Sequence, residues 1–244
     1  MFVRSILLLY FPFIGVALGD SQASLRKVAD LGGRTFSSKG KVVEILLGKS
    51  QLEDSDLALL ADFPHVVDLS LENTRTGDAG IVHVAKLSKL EWLNLYRTWV
   101  GDEGARRLSK SKSLKMLPVG ETNLTDAGLA HLSSMRQLTY LGLRGNKVTD
   151  AGAEHLRKLK NLEGLYLGET KVTDVGVRCL AGLQSLEKLW LHDLPLTDAS
   201  VDVLLRLKNL RELHVYATKI TLEGANRLRA GLPGCRVVHV AFPN

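Results

Sequence analysis

The chain is poor in cysteine, with only Cys179 and Cys235 among its 244 residues. These two thiols form no CxxC pair, and neither has a histidine at the spacing of a zinc ligand set. A small disulfide-stapled fold and a zinc module are therefore excluded. With 45% of its side chains apolar, the chain instead carries enough hydrophobic residues to fold around a core.

Catalytic motifs are also missing. The sequence contains no Gly-x-Ser-x-Gly elbow, no His-Glu-x-x-His, no phosphate-binding P-loop and no Gly-x-Gly-x-x-Gly after a strand. We therefore predict a protein that is not an enzyme and that has neither a cofactor nor a metal site. The net charge of +6 is too small an excess to select nucleic acid or an anionic surface as the partner.

The chain has no hydrophobic run long enough for a relaxed membrane span. Its longest uncharged apolar run extends from Ile6 to Gly19 and follows a single basic residue, Arg4. Such a run is shorter than the ~20 residues of a spanning helix and is typical of a secretory signal peptide. We predict a signal peptide over 1–23, cleaved after Gly19 or after Ala23, and an exported protein in the periplasm, at the cell surface or secreted. The alternative is an uncleaved N-terminal anchor.

A 24-residue repeat dominates the rest of the sequence. Three apolar positions recur at this step with the spacing LxxLxL. The first holds Val42, Val66, Leu90, Leu114, Leu138, Leu162, Leu186 and Leu210; the second holds Ile45, Leu69, Leu93, Leu117, Leu141, Leu165, Leu189 and Leu213; the third holds Leu47, Leu71, Leu95, Val119, Leu143, Leu167, Leu191 and Val215. A ninth strand, one residue late, is predicted to place Cys235, Val238 and Val240 in the core.

Polar residues recur at the same step. Aspartates at the start of each helical half are predicted to be helix N-caps, at Asp78, Asp102, Asp126, Asp150, Asp174 and Asp198. Between strand and helix, a buried polar ladder is predicted at Thr74, Thr98, Thr122, Asn146, Thr170 and Thr218. Leu194 interrupts this ladder and Pro195 follows it, so we expect the loop 192–195 to depart from its neighbours.

These units, clearest from Leu138 to Leu183, resemble the leucine-rich repeat family, in simple exported bacterial proteins and in the TDxGLxxL subclass found in F-box proteins. The resemblance implies an α/β solenoid, curved as a right-handed superhelix, with a parallel β-sheet on the concave face and short helices on the convex face. We expect a helix and hairpin cap over 24–41, eight repeats over 42–234 and a capping strand over 235–244. The family also implies a scaffold that binds a partner, usually a protein, without catalysis.

Aromatic residues are few, at 6% of the chain, but they are placed selectively. Side chains between the core leucines face the concave side, because residues alternate along a strand. The predicted concave site comprises Trp92, Tyr96, Tyr140, Arg144, Tyr166, Trp190, His192, His214 and Tyr216. His239 is expected beside His214. Gly120, Gly142, Gly164 and Gly168 are expected to leave a bare floor between the rings, although the rings could equally be stacked for stability alone.

The sequence thus favours a monomeric, non-catalytic scaffold that recognises a partner protein on its concave face. A glycan or cell-envelope polysaccharide is the alternative ligand, and an F-box-like adaptor is a lesser alternative because residues 20–41 are too few for an F-box. Nucleic acid is not expected, since the concave face offers Arg97, Arg144 and Lys188 against Glu72, Glu121, Glu169 and Glu212. No membrane contact is expected beyond the signal segment.

Overall fold

The computed structural model describes residues 21–240. Within this range ten strands form one sheet in chain order. The strands are β1 Arg34–Ser38, β2 Lys41–Leu46, β3 Asp68–Ser70, β4 Trp92–Asn94, β5 Met116–Pro118, β6 Tyr140–Gly142, β7 Gly164–Tyr166, β8 Lys188–Trp190, β9 Glu212–His214 and β10 Arg236–Val238. From β2 to β10 every neighbouring pair is parallel, which confirms the predicted leucine-rich repeat solenoid.

Short helices alternate with the strands and form the second layer. They are α1 Gln22–Asp30, α2 Ile81–Val84, α3 Asp102–Leu108, α4 Asp126–Leu132, α5 Asp150–Leu156, α6 Asp174–Val177, α7 Val201–Leu204 and α8 Leu222–Gly231, with 3₁₀ helices at Asp54–Asp62, Arg178–Gly182 and Asp198–Ser200. Residues 1–20 of the predicted signal peptide and residues 241–244 of the predicted capping strand lie outside the described residues.

The core lies between sheet and helices and is built from the three leucine rows. Leu93, Leu117 and Leu141 have no exposed surface, and neither do Leu95 and Leu143 two residues further along their strands. Burying each such side chain stabilises the fold by about 1.5–3 kcal/mol. The polar ladder lies beside these rows: the Thr98 hydroxyl, for example, donates to the carbonyl of Leu95 at 2.8 Å, so the turn buries no unpaired carbonyl there.

The N-terminal end of the sheet is covered by α1 and by the antiparallel pair β1 and β2. The turn between these strands is formed by Lys39 and Gly40, both with positive φ, as in the tight turns that join hairpin strands. The helix begins two residues earlier than the sequence indicates, because Ser21 rather than Ser24 is the N-cap and accepts from the amide of Ser24. Strand β1 pairs with the edge of β2 that would otherwise be exposed.

The recurring aspartates are not the N-caps of their own helices, so this prediction is wrong. In α4, α5 and α6 the N-cap is the preceding threonine, whose hydroxyl accepts from a backbone amide in the first turn. Asp102 instead reaches the next repeat, where it accepts from the amide of Thr125 at 2.8 Å, from its hydroxyl at 2.6 Å and from the amide of Gly128 at 2.9 Å. We call this arrangement, which recurs from repeat to repeat, the carboxylate clamp.

The clamp explains why glycine follows two residues after the aspartate. A Cβ on Gly152 would lie 2.2 Å from Oδ1 of Asp126, so a side chain there collides with the clamp of the preceding repeat. One repeat has Ser200 at this position, and its hydroxyl donates to Asp174. In that repeat the first turn is 3₁₀ rather than α-helical.

The predicted one-residue slip of the last strand is wrong. Val237 pairs with Leu213 and Val238 with His214, so the step of the preceding repeats is kept to β10. Val237 and Cys235 pack partly buried against the core, while Val240 is 66% exposed. The register holds because ladder hydrogen bonds continue into β10, including that from the amide of Arg236 to the carbonyl of Arg211 at 2.8 Å.

The loop 192–195 also keeps the geometry of its neighbours, contrary to expectation. Asp193 has a φ of 54°, and the equivalent residues of other repeats, Glu169 and Glu121, have φ of 59° and 50°. Leu194 turns inward and is 3% exposed. An apolar side chain therefore replaces the ladder threonine without changing the path of the backbone.

Gly152→Ala tests the clamp, because the clamp predicts a change in stability of the opposite sign to that of glycine to alanine in an ordinary helix. Glycine to alanine in a helix ordinarily stabilises by up to about 1 kcal/mol, but here we expect a loss of about 1–3 kcal/mol because the added methyl overpacks the site against Asp126. Urea denaturation measures the change. Gly152→Ser should cost less, as at Ser200.

The double variant Gly152→Ala with Asp126→Ala is the control for this collision. Once the carboxylate is gone, the alanine at position 152 should add little further destabilisation. Strict additivity of the two single changes would show that the clamp is not what excludes a side chain.

Candidate binding surface

In each strand and the two residues that follow it, three positions face the concave side and alternate with two core leucines. In β6 and its extension these are Tyr140, Gly142 and Arg144, separated by the buried Leu141 and Leu143. The parallel register aligns equivalent positions of neighbouring strands, so that Tyr166 lies beside Trp190 and Trp190 beside His214. The concave residues therefore form three continuous rows across the sheet.

Five rings from three neighbouring repeats touch one another, and we call this group the aromatic cluster. It consists of Tyr166, Trp190, His192, His214 and Tyr216. The ring of His192 stacks on that of Tyr216 with centroids 4.6 Å apart and planes 3° from parallel. Tyr166 and Trp190 are 5.4 Å apart at a tilt of 33°. Both distances are typical of favourable aromatic pairs.

His192 supports the cluster from below rather than facing a ligand. It is only 2% exposed, whereas Tyr166, Trp190, His214 and Tyr216 are half-buried. Its Nδ1 lies 2.7 Å from Oδ2 of Asp193, and its Nε2 lies 2.6 Å from the hydroxyl of Tyr166. Both ring nitrogens are thus engaged, and the imidazole fixes the orientation of the tyrosine.

The predicted bare floor is found at Gly120 and Gly142, which line a shallow cleft on this face, but the prediction is wrong for Gly164 and Gly168. All four glycines are buried, and rings from the neighbouring repeats lie over Gly164 and Gly168. A Cβ on Gly164 would lie 2.7 Å from Cδ2 of Tyr140, and one on Gly168 would lie 2.8 Å from the ring of His192. Glycine is needed at these positions so that the neighbouring rings can lie down on the sheet.

Next to the aromatic cluster the face contains a shallow cleft of about 320 Å³, which we call the concave cleft. It is lined by Glu72, Asn94, Tyr96, Pro118, Gly120, Tyr140, Gly142, Arg144 and Tyr166. Burial raises the pKa of Tyr140 to about 12, so its phenol is neutral at physiological pH. Because Tyr166 belongs to both the cleft and the cluster, the two form one continuous surface.

The charges on this surface are largely neutralised by pairing. Arg144 lies 2.6 Å from Glu169, and Arg97 lies 2.6 Å from Glu121, which also accepts from the hydroxyl of Tyr96. The hydrogen bond from Arg97 holds the pKa of Glu121 below its usual value. A ligand of this face therefore meets rings and paired charges rather than an electrostatic field of one sign.

The predicted placement of His239 is wrong, and Trp92 lies apart from the other rings. Trp92 lies on the concave face, but Met116 of β5 separates it from Tyr140, and within residues 21–240 it neither lines the cleft nor contacts another ring. His239 is not beside His214: its Nε2 lies 2.9 Å from the carbonyl of Ile220, in the loop before α8. The predicted site also left out Asn94 and Glu72, although Glu72 was placed on the concave face; both line the cleft, and the Asn94 amide donates to the Glu72 carboxylate at 2.8 Å.

Glu169, His192 and Asp193 are near enough to be considered as metal ligands. Their ligand atoms all lie within 4.8 Å of one another. However, both nitrogens of His192 are hydrogen-bonded, and Glu169 is held by Arg144. A divalent ion would have to displace these partners and approach a guanidinium, so the geometry favours a hydrogen-bonded network.

Comparisons with known proteins agree with the strand geometry. A leucine-rich repeat family model matches residues 136–194. An internalin from Listeria monocytogenes, inlF, is similar with a TM-score of 0.60 and 22% identity, covering 81% of this chain and 59% of its own. Internalin C2 from the same species has a TM-score of 0.66 and 20% identity, covering 94% of each chain. No curated protein sequence matches the chain.

A third similar structure is the leucine-rich repeat ectodomain of the Arabidopsis receptor kinase HAESA, in complex with a peptide hormone ligand. Its TM-score is 0.64 at 18% identity, covering 89% of this chain and 40% of its own. At these identities the structures establish the fold, which is that of a leucine-rich repeat solenoid. None of the helices within residues 21–240 combines the length and apolar character needed to cross a bilayer.

Tyr166→Phe tests the role of His192 as a support. Removing the hydroxyl leaves the buried Nε2 of His192 without its partner, and we expect a loss of about 1–3 kcal/mol in the free energy of unfolding, measured in urea. Tyr216→Phe is the matched control, because no hydrogen bond involves its hydroxyl among the described residues. Equal effects of the two variants would contradict this role.

Proposed function

We propose that the chain is a non-catalytic scaffold that recognises a partner protein through its concave face. The observation that carries this proposal is the continuity of the aromatic cluster with the concave cleft through Tyr166. Together they offer half-exposed rings beside a depression that receives a side chain or a short peptide segment. A reproducible hydrolytic or nucleotide-releasing activity of the purified protein would contradict the non-catalytic part of the proposal.

The composition of the surface supports a protein ligand. Tyrosine and tryptophan are enriched among the residues that carry most of the binding energy at protein interfaces. Trp190 and Tyr216 are half-buried, while the buried His192 stacks on Tyr216 and bonds the hydroxyl of Tyr166. Rings held in this way lose little conformational freedom on binding, and the cost of association is lower for such a pre-organised surface.

The similar structures are compatible with a peptide or protein ligand, since the HAESA ectodomain was solved with a peptide hormone bound. A glycan is the second candidate, because the cleft combines tyrosine rings with the hydrogen-bonding groups of Glu72, Asn94 and Arg144. The F-box-like interpretation has no support in the N-terminal cap, where residues 22–46 form one helix and a hairpin.

Trp190→Ala is expected to weaken binding of the partner at least tenfold, the scale of a residue at the centre of an interface. Trp99→Ala is its matched control, because Trp99 is 62% exposed but lies on the loop after the strand, outside the concave face. Both variants should melt near the wild type by circular dichroism, since a pair of cross-strand rings contributes only about 0.2–1 kcal/mol. Retained binding by the Trp190 variant would refute the proposal.

The partner itself can be captured by placing a photo-crosslinking residue at position 190 and, as a control, at position 175. Val175 is 58% exposed on the helical side, so its crosslinks report nonspecific neighbours. We expect one protein to crosslink in the native host from position 190 alone. A glycan array is run in parallel, and binding to it in the absence of a protein crosslink would support the glycan alternative.

We further propose that the protein is exported and that its signal peptide is cleaved after Gly19. The helix α1 starts at Gln22, is capped by Ser21, and is tied to the first repeat by a 2.5 Å hydrogen bond from Ser24 to Asp62. Cleavage after Ala23 would remove the cap and the first two helical residues. Since an N-cap contributes about 1 kcal/mol, the earlier site preserves the helix.

The intact mass of the protein recovered from the envelope or medium should therefore correspond to a chain that begins at Asp20. A chain beginning at Ser24 would contradict the choice of site, and a full-length chain in the membrane fraction would show the uncleaved anchor instead.

A further inference from the structure

Outside the concave face, charge is segregated between the two flanks of the solenoid. The loops that precede the strands form one flank, which we call the basic flank; those before β4 to β9 are 85–91, 109–115, 133–139, 157–163, 181–187 and 205–211. These six loops contain twelve Lys and Arg and only three Glu. This local excess of nine positive charges is larger than the net charge of the whole chain, which is +6.

The loops that follow the strands form the opposite flank, with the reverse balance. They are 72–78, 96–102, 120–126, 144–150, 168–174 and 192–198, six loops of the same length, with five Lys and Arg against ten Asp and Glu. Six of these acids are the clamp aspartates, which the fold requires. The modest overall charge thus hides two flanks of opposite sign.

The repeat stacks the cations of the basic flank into rows. Backbone hydrogen bonds of 2.8 Å join Thr139 to Lys115 and Glu163 to Thr139, so successive loops lie side by side at about the 4.8 Å spacing of strands. Lys112, Arg136 and Lys160 occupy one position in three successive loops, and Lys110 and Lys158 another. Arg136, Lys158, Lys160 and Asn161 also line a groove of about 350 Å³.

Several of these cations have no internal role. Lys160 and Lys208 donate to carbonyls of the next repeat and so serve the fold. Among the described residues, the side chains of Lys110, Lys112, Arg136 and Lys158 make neither a hydrogen bond nor an ion pair and are exposed. Attraction to helix C-termini is a weak explanation, because these helices are short and have small dipoles, and the effect fades within one turn.

The N-terminal segment joins the solenoid at this same flank. Ser24, in the first turn of α1, is bonded to Asp62, which ends the 3₁₀ helix and begins the loop that precedes β3. In the sequence only Asp20 and Ser21 separate the apolar run that ends at Gly19 from the start of α1. The described chain therefore begins at the basic flank rather than at the opposite one.

We propose that the basic flank docks on an anionic phospholipid bilayer, with lipid phosphates at the rows of Lys and Arg and in the groove beside Arg136. This departs from the expectation that membrane contact ends with the signal segment. Clustered Lys and Arg bind anionic bilayers cumulatively, each contributing about a fivefold gain near the surface. The contact leaves the concave face free and does not depend on its partner.

The test is flotation of the full chain with vesicles of phosphatidylcholine alone and of equimolar phosphatidylcholine and phosphatidylglycerol. The apolar N-terminal segment is identical in every variant and contributes to both kinds of vesicle, so the ratio of the two affinities isolates the charged contact. We expect the wild type to prefer anionic vesicles, and the preference to fall steeply with added salt.

Charge reversal of the basic flank in Lys110→Glu, Lys112→Glu, Arg136→Glu and Lys158→Glu together should reduce the affinity for anionic vesicles at least about 100-fold. The matched control reverses one Arg and three Lys that follow the strands, in Arg75→Glu, Lys147→Glu, Lys171→Glu and Lys219→Glu; Lys219 lies after β9, beside the six loops of the opposite flank. These four are also exposed and without side-chain partners among the described residues. They lie about 20 Å from the basic flank, at ~3.3 Å per strand residue, well beyond a Debye length of about 8 Å.

The control should therefore change the affinity by less than about threefold. Equal losses in both variants would reduce the effect to net charge and overturn the proposal, as would a wild type without preference for anionic vesicles. Tighter binding of a soluble polyphosphate than of anionic vesicles would assign the flank to an anionic polymer instead. A circular dichroism melt of each variant shows that the fold is intact.

Discussion

The carboxylate clamp is the interaction on which the regularity of this solenoid depends. Leucines fill the space between sheet and helices, but apolar packing is non-directional and does not fix how far one repeat advances on the next. An aspartate such as Asp102 accepts from two amides and one hydroxyl of the following repeat, and together with the ladder hydrogen bonds of the sheet this fixes the step. The same contact orders strand, turn and helix, and it requires threonine and glycine at set positions, so the TDxG sequence follows from one hydrogen-bonding geometry.

The concave surface is a consequence of this fixed step. Because every strand advances by the same amount, Tyr166, Trp190 and His214 come side by side, although each belongs to a different repeat. The glycines also shape this surface, because Gly164 and Gly168 let the rings of Tyr140 and His192 lie on the sheet. Glycine and aromatic residues on this face are thus paired across repeats.

The sequence predicts the fold well because a fixed period determines which side chains are buried. Leu93, Leu141 and Leu189 are core residues by periodicity alone, and all three are fully buried. What a single repeat cannot reveal is contact between repeats. Within one repeat Asp102 looks like the cap of its own helix, and Gly164 and Gly168 look like empty space. His239 looks equivalent to His214 only if the last strand is assumed to slip by one residue. The concave positions of the site residues were predictable, but the burial of His192 beneath Tyr166 was not, since it depends on a hydrogen bond across a repeat.

The overall composition does not reveal the segregation of charge between the two flanks, because this too depends on how the repeats stack. The clamp places six aspartates on the flank that follows the strands, which leaves the other flank as the one where Lys and Arg are unopposed. The strands run from the basic flank to the opposite flank. A bilayer at the basic flank therefore lies perpendicular to the strand axes and does not cover the concave face. In this orientation Tyr216, after its strand, lies farther from the lipid than Tyr140, at the start of its own. Attachment and recognition then use perpendicular surfaces, and a partner reaches the aromatic cluster without displacing the lipid contact.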